Sequence, residues 1–129
     1  MRRTCSREFS PPAPLVPILV SAPGEADGLA IDGKIDTGAD LCALPEDVIA
    51  ELDLAPVRSV RAAGFAGTLQ EALLYHCAIE LAGRRFEHLE ALATRRRYAI
   101  VGRSLLRHVV VRLDGPSSAL TLTVPGARR

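Results

Sequence analysis

The stretch Ile31-Asp32-Gly33-Lys34-Ile35-Asp36-Thr37-Gly38-Ala39-Asp40 decides how the rest of the chain is read. Over Leu29 to Ile35, Ile31 and Ile35 share one face while Ala30, Asp32 and Lys34 share the other, the period-two pattern of a strand. Asp36 follows on the Lys34 face. A carboxylate, a hydroxyl, a glycine and a second carboxylate therefore stand where an apolar strand ends, a place where scaffolds present chemistry. Asp-Thr-Gly is also ordinary turn chemistry, since Asp and Gly are common turn formers. The remaining sequence has to decide between a turn and half of a catalytic carboxylate pair.

Composition excludes several classes. The chain has 129 residues, 48% apolar and 24% charged, which fits one globular domain able to bury a core without metals or disulfides. A net charge of +1 gives no electrostatic footprint for nucleic acid. Cys5, Cys42 and Cys77 are odd in number and lack a C-x-x-C, which argues against a disulfide framework or a zinc knuckle and for a reducing, cytoplasmic setting. Arg2, Arg3 and the run Leu15 to Val20 loosely imitate a secretory signal. Glu8 and Pro11, Pro12, Pro14 and Pro17 spoil the imitation. No stretch approaches the roughly 20 apolar residues of a membrane helix, so a soluble protein without membrane partners is expected.

Residues 1–14 read as a flexible N-terminal arm, 15–124 as the domain and 125–129 as a C-terminal tail. Leu15 to Val20 is a strand whose Pro17 suits an edge. Pro45 to Leu52 has a proline and two acids ahead of Val48, Ile49 and Leu52 at helical spacing, a short helix. Val57 to Ala63 is a strand ending at Gly64-Phe65-Ala66-Gly67, a glycine-flanked hairpin tip. Thr68 to Ala82 carries two signals. Leu73, Tyr75, Cys77, Ile79 and Leu81 alternate as in a strand, while Thr68 with Glu71 makes a capping box for a helix. Phe86 to Ala93 and Tyr98 to Val101 read as strands, Ser104 to Arg107 as a short helix, and Val109 to Leu113 and Ala119 to Val124 as a final strand pair around Asp114-Gly115-Pro116. Arg95-Arg96-Arg97 reads as a solvated loop.

Two separated pieces, Ile35-Asp36-Thr37-Gly38-Ala39-Asp40 and Ala99-Ile100-Val101-Gly102-Arg103-Ser104-Leu105-Leu106, together resemble the retropepsin-like aspartic proteases, the family of the retroviral proteases. The order strand, Asp-Thr-Gly, short helix, hairpin, apolar-apolar-Gly-Arg, helix, strand is also the family's. The resemblance implies an all-β acid-protease barrel with one or two short helices, one lobe per chain, and makes Thr68 to Ala82 a strand. It implies an aspartic endopeptidase in which two carboxylates share a proton, one activating water while the other polarises the peptide carbonyl. The chain has one Asp-Thr-Gly and is about half the length that two copies need. The second carboxylate is therefore expected from a second chain, making a homodimer whose partner is a peptide or protein substrate.

By the same resemblance Asp36 is catalytic, the Thr37 hydroxyl ties the two loops across the dimer axis, and Gly38 permits close backbone approach. Asp40 and Arg103 match positions that form a buried ion pair in retroviral relatives, and Gly102 belongs to that supporting element. Gly64, Phe65, Ala66 and Gly67 correspond to the flap over an extended substrate. Ala39 stands where pepsin-like enzymes usually have Ser, and the missing hydroxyl implies an activity optimum nearer neutral than pepsin's. Lys34 stands where retroviral enzymes have an apolar residue lining a substrate pocket, and it could select an acidic side chain, turn to solvent or impair activity. Ser104 replaces a common Asn or Asp.

Other readings are weaker. A calcium loop over Asp32 to Ala43 has Lys34, Thr37 and Ala43 at positions that require a ligand, a glycine and a glutamate. Nothing in the sequence joins Cys42 to His76, His88 or His108 as nucleophile and base. No metal or cofactor is implied. The alternative from another class is a dimeric peptide-binding module with the retropepsin fold and weak or lost catalysis, because a fold does not guarantee chemistry.

Overall fold

The structure, a computed structural model, describes residues 1–63 and 67–126. In chain order its strands and helices are β1 (Arg2–Thr4), β2 (Leu15–Ser21), β3 (Gly28–Ile35), β4 (Cys42–Pro45), α1 (Glu46–Glu51), β5 (Pro56–Ala63), β6 (Leu69–Leu81), β7 (Arg84–Thr94), β8 (Ala99–Val101), α2 (Arg103–Leu106), β9 (Val110–Asp114) and β10 (Ala119–Thr123). The fold is all-β, with retropepsin-like architecture and two short helices as expected.

The apolar alternation of the strands closes into a barrel. β2, β3, β8, β4, β7 and β6 are successive neighbours, and a pairing of β2 with β6 joins the ends. Closure needs only Leu19, Val20 and Ser21 opposite Glu80, Ile79 and Ala78. Pro17 lies on the part of β2 that has β3 alone as a neighbour, the edge position that its missing N–H favours. Val16, Val20, Leu44, Ile79, Leu81, Val101 and Leu105 are almost wholly enclosed, each burial worth about 1.5–3 kcal/mol against exposure. In α1, Val48 and Ile49 face this core, and the acids Glu46 and Asp47 occupy the first turn, where the helix dipole favours them.

Residues Leu69 to Leu81 form a single strand, so alternation and long-range pairing prevail over the capping-box signal. The expected apolar face holds only in part. Leu74 is buried and Leu73 exposed, whereas Cys77, Ile79 and Leu81 are buried as anticipated. The reason is that β6 serves two structures: its C-terminal half closes the barrel, and its N-terminal half pairs with β5 in a projecting hairpin. The pairing is irregular at Pro56–Arg58 and at Cys77–Ile79, which breaks the period of two.

The N-terminal segment differs from the flexible arm expected of it. Arg2, Arg3 and Thr4 pair with Thr121, Leu120 and Ala119, making a small sheet in the order β1-β10-β9. A bridge between Ser6 and Ala13 folds the proline-rich part back on itself, and the Pro14 carbonyl accepts the Ile35 N–H at 2.9 Å. Prolines lack N–H groups, but the residues around them retain enough donors to anchor the segment. β4 has no counterpart among the expected strands. It is short and takes its identity from parallel pairing with β7, a non-local cause. Of residues 125–129 only Pro125 and Gly126 are described.

The β2–β3 loop is tied to β7 by charge. Arg85 donates to Glu87 Oε2 at 2.7 Å and to the Glu25 carbonyl at 2.9 Å, while the Gly24 N–H donates to Glu87 Oε1 at 2.6 Å. These bonds, Arg85's first, lower the Glu87 carboxyl from its usual value near 4.5 to about 2. Because the folded form titrates lower, the stabilisation is complete above pH 4.5 and is lost as pH falls towards 2. Glu87→Gln is expected to lower stability at pH 7, with the gap from the parent closing between those two pH values. Urea unfolding across this range checks it, and a gap independent of pH would refute it.

Candidate active site

Asp36 is placed by the strand pairing that precedes it. Gly33, Lys34 and Ile35 lie beside Ala99, Ile100 and Val101 in parallel register, and the Asp36 N–H continues this ladder by donating to the Val101 carbonyl at 3.0 Å. The chain then turns sharply. The Gly38 N–H donates to Asp36 Oδ1 at 2.9 Å and the Ala39 N–H to the Asp36 carbonyl at 3.2 Å. The first of these is the side-chain turn that Asp favours, and it fixes the carboxylate while leaving Oδ2 without a protein partner among the described residues. A Cβ on residue 38 would sit 3.2 Å from Asp36 Oδ1, so the glycine keeps the carboxylate uncrowded. Asp36 is half-buried; Thr37 and Gly38 are exposed.

The second motif holds this loop from below. The Arg103 N–H donates to the Ala39 carbonyl at 2.8 Å and the Ser104 N–H to the Asp40 carbonyl at 3.0 Å. The Arg103 guanidinium donates to the Thr37 carbonyl at 2.7 Å and forms an ion pair with Asp40 Oδ1. Gly102 is buried against the loop: a Cβ there would stand 2.3 Å from the Leu41 carbonyl oxygen and 2.9 Å from that of Ala39. Only glycine lets the two segments approach so closely. The structure thus brings together Asp36, Thr37, Gly38, Ala39, Asp40, Gly102 and Arg103. The Asp40–Arg103 pair differs from the buried pair implied by the resemblance, since its side chains are 82% and 54% exposed in the single chain. Solvent screening at that exposure limits the pair to about 0–1 kcal/mol, so the backbone bonds and the Gly102 contact carry the support.

One cavity borders the loop and a second lies beside β3. The first, of about 440 Å³, is bounded by Gly38, Ala39 and Asp40 on one side and by Val60, Ala62 and Leu92 on the other. It lies under the β5–β6 hairpin. Gly64, Phe65 and Ala66, at the expected flap tip, lie outside the described residues; Gly67 has the left-handed φ of +74° that suits glycine. Val60, Ala62 and Leu92 had no signal in a motif, because the hairpin's fold brings Val60 and Ala62 to the loop and the pairing of β7 with β4 brings Leu92. The other cavity, of about 310 Å³, is lined by Phe9, Leu15, Asp32 and Tyr98, with Glu8 and Arg97 at its charged walls. Lys34 projects on this side, its Nζ 5.2 Å from the Phe9 ring centre and 5.9 Å from that of Tyr98.

The alternative chemistries find little here. Cys42 is wholly enclosed, with its thiol 3.7 Å from Ser104 Oγ, and burial raises its titration. Burial likewise pushes Cys77 up to about 12. Neither is a thiolate near neutral pH, whatever the stacked pair His76 and His88 could accept. Among the described residues no three His, Cys, Asp or Glu side chains gather as a metal site.

Comparison with known proteins agrees with this geometry. The chain has the fold of a retropepsin-like aspartic protease from Rickettsia conorii (TM-score 0.67, 18% identity, covering 95% of this chain and 88% of that one). It is also similar to EIAV protease complexed with the inhibitor HBY-793 (TM-score 0.56, 21% identity, 74% and 86% covered). The foamy viral protease-reverse transcriptase in complex with an RNA/DNA hybrid matches with TM-score 0.57 and 19% identity over 74% of this chain and 12% of that one. No curated protein matches the sequence. Residues 22–121 match the sequence model of the aspartyl protease family, a span that includes Asp36-Thr37-Gly38 and Gly102-Arg103. With the fold, the loop geometry and that match in agreement, the chain belongs to the aspartyl protease family.

Proposed function

We propose that the chain is an aspartic endopeptidase whose site is completed by a second copy, with one Asp36 from each protomer. The observation that carries this reading is the division of labour between the two carboxylates of the motif. Asp40 is engaged by Arg103, whereas Asp36 at the end of β3 keeps one oxygen without a partner among the described residues. Asp40 is therefore no partner for Asp36. A dyad needs a carboxylate from elsewhere, and a twofold axis beside the exposed Thr37 and Gly38 would supply it with the same chemistry.

In the reaction the two Asp36 carboxyls share one proton. The ionised one takes a proton from a water, whose oxygen attacks the peptide carbonyl carbon, while the protonated one gives its proton to the carbonyl oxygen. The resulting gem-diol collapses: the C–N bond breaks, the leaving nitrogen takes a proton from one carboxyl, and a hydroxyl proton of the gem-diol returns to the other. The dyad regains its single shared proton. Thr37 braces the two loops, Gly38 and Ala39 let the substrate backbone approach, and Gly102 with Arg103 holds each loop. The hairpin ending at Gly64, Phe65, Ala66 and Gly67 covers an extended peptide, which adds to it as a strand does. Lys34 flanks the substrate beside Asp36.

Asp36→Asn is expected to reduce cleavage of a mixed peptide library at least about a thousandfold from acid to neutral pH, with the dimer intact by sedimentation. Specific activity of the parent is expected to fall on dilution as the dimer dissociates. An active monomer would refute the shared dyad, and a stable dimer that binds peptides without cutting them would favour the binding module. Gly102→Ala forces the loop to shift and is expected to cost about 1–3 kcal/mol in unfolding experiments, with activity lowered at least about a hundredfold. Gly115→Ala, whose added Cβ meets nothing within 4 Å, is the control for a benign glycine change.

A further inference from the structure

The cavity on the β3 side of Asp36 holds an arrangement that the catalytic reading leaves unexplained. Phe9 and Tyr98 meet edge to face with ring centres 5.3 Å apart, and the Lys34 ammonium lies within cation–aromatic distance of both. Tyr98 carries a second cation, Arg96, which lies 5.8 Å from its ring centre and donates to its hydroxyl at 2.8 Å. The cluster is built from three separate segments. Lys34 belongs to β3 two residues before Asp36, Tyr98 immediately precedes β8, and Phe9 comes from the folded-back N-terminal segment. The rings line the cavity, whereas Lys34 is not among its lining residues. Its walls include two carboxylates, Glu8 and Asp32, against one guanidinium, Arg97.

Resting on the protease reading, we propose that Phe9 and Tyr98 clamp the Lys34 ammonium and thereby set which side chain the site accepts. With the clamp closed, the cavity offers aromatic and aliphatic walls (Phe9, Tyr98, Leu15, Ile31) and a carboxylate excess, and it takes an apolar or basic substrate side chain. With the clamp opened, Lys34 is released to pair with an acidic one. The N-terminal segment is thus a part of the specificity machinery, and Phe9 is a positioning residue that acts through Lys34.

The test is competitive cleavage of a peptide library by the full chain and by Phe9→Leu, Phe9→Tyr, Lys34→Met and the Phe9→Leu/Lys34→Met pair. The parent is expected to disfavour Asp and Glu next to the scissile bond. Phe9→Leu should shift the acidic-to-apolar kcat/KM ratio about tenfold towards acids, Phe9→Tyr should keep the parent ratio because it keeps the ring, and the pair should show no shift. A parent that prefers acids, or the same shift in the pair, overturns the proposal. A double-mutant cycle on urea unfolding reads the clamp without activity: a coupling of about two- to fivefold in the unfolding constant is expected between Phe9 and Lys34. Absence of coupling overturns the clamp even if peptides are cut. Coupling in a chain that cuts nothing sustains the clamp and places the failure in the protease reading.

Discussion

The contact of Gly102 with the carbonyls of Leu41 and Ala39 is the constraint on which the site depends. It brings the start of α2 close enough for the Arg103 and Ser104 N–H groups to reach Ala39 and Asp40, and for the Arg103 guanidinium to reach Thr37. A loop that presents a carboxylate at a strand end must project from the scaffold and still hold still. Here the projection comes from the end of β3 and the rigidity from a backbone-to-backbone approach that any side chain would prevent. The ion pair of Asp40 with Arg103 lies in solvent in the single chain, so it orients more than it stabilises.

The barrel makes this arrangement possible through its mixed topology. Asp36 and Gly102 end two neighbouring parallel strands, β3 and β8, and so arrive side by side at one rim. β4, which follows the loop, runs antiparallel to β8 and parallel to β7 and so ties the loop's far end into the barrel. β5 and the N-terminal half of β6 extend beyond the six-stranded ring as a hairpin whose β5 strand faces Gly38 to Asp40, while the C-terminal half of β6 closes the ring against β2.

Much of this was legible in the residues, for physical reasons. Asp36-Thr37-Gly38 and Gly102-Arg103 could be read because turn chemistry and close backbone approach demand particular residue types. The placing of Ile31 and Ile35 on one face, opposite Asp32 and Lys34, marked a strand with an inner face. β1 and β4 were illegible because three or four residues carry no period, and their partners are far away in sequence. The face of β6 was misread above Cys77 because its two halves pack against different structures. The folding-back of Phe9 onto Tyr98 and Lys34 had no local signal, since prolines suggested freedom where the chain is in fact paired at Ser6 and Ala13.

The bond from the Arg103 guanidinium to the Thr37 carbonyl spans 66 residues. During synthesis the Asp36 loop therefore leaves the ribosome long before the segment that shapes it exists as exposed chain. Until Val101 to Ser104 emerge, the Asp36 N–H and the Thr37, Ala39 and Asp40 carbonyls lack their final partners, and the loop entropy of a long closure stands between the loop and its final form. A nascent chain thus carries Asp36 on an unorganised loop, which takes its final shape only when the segment around Gly102 can pack against it.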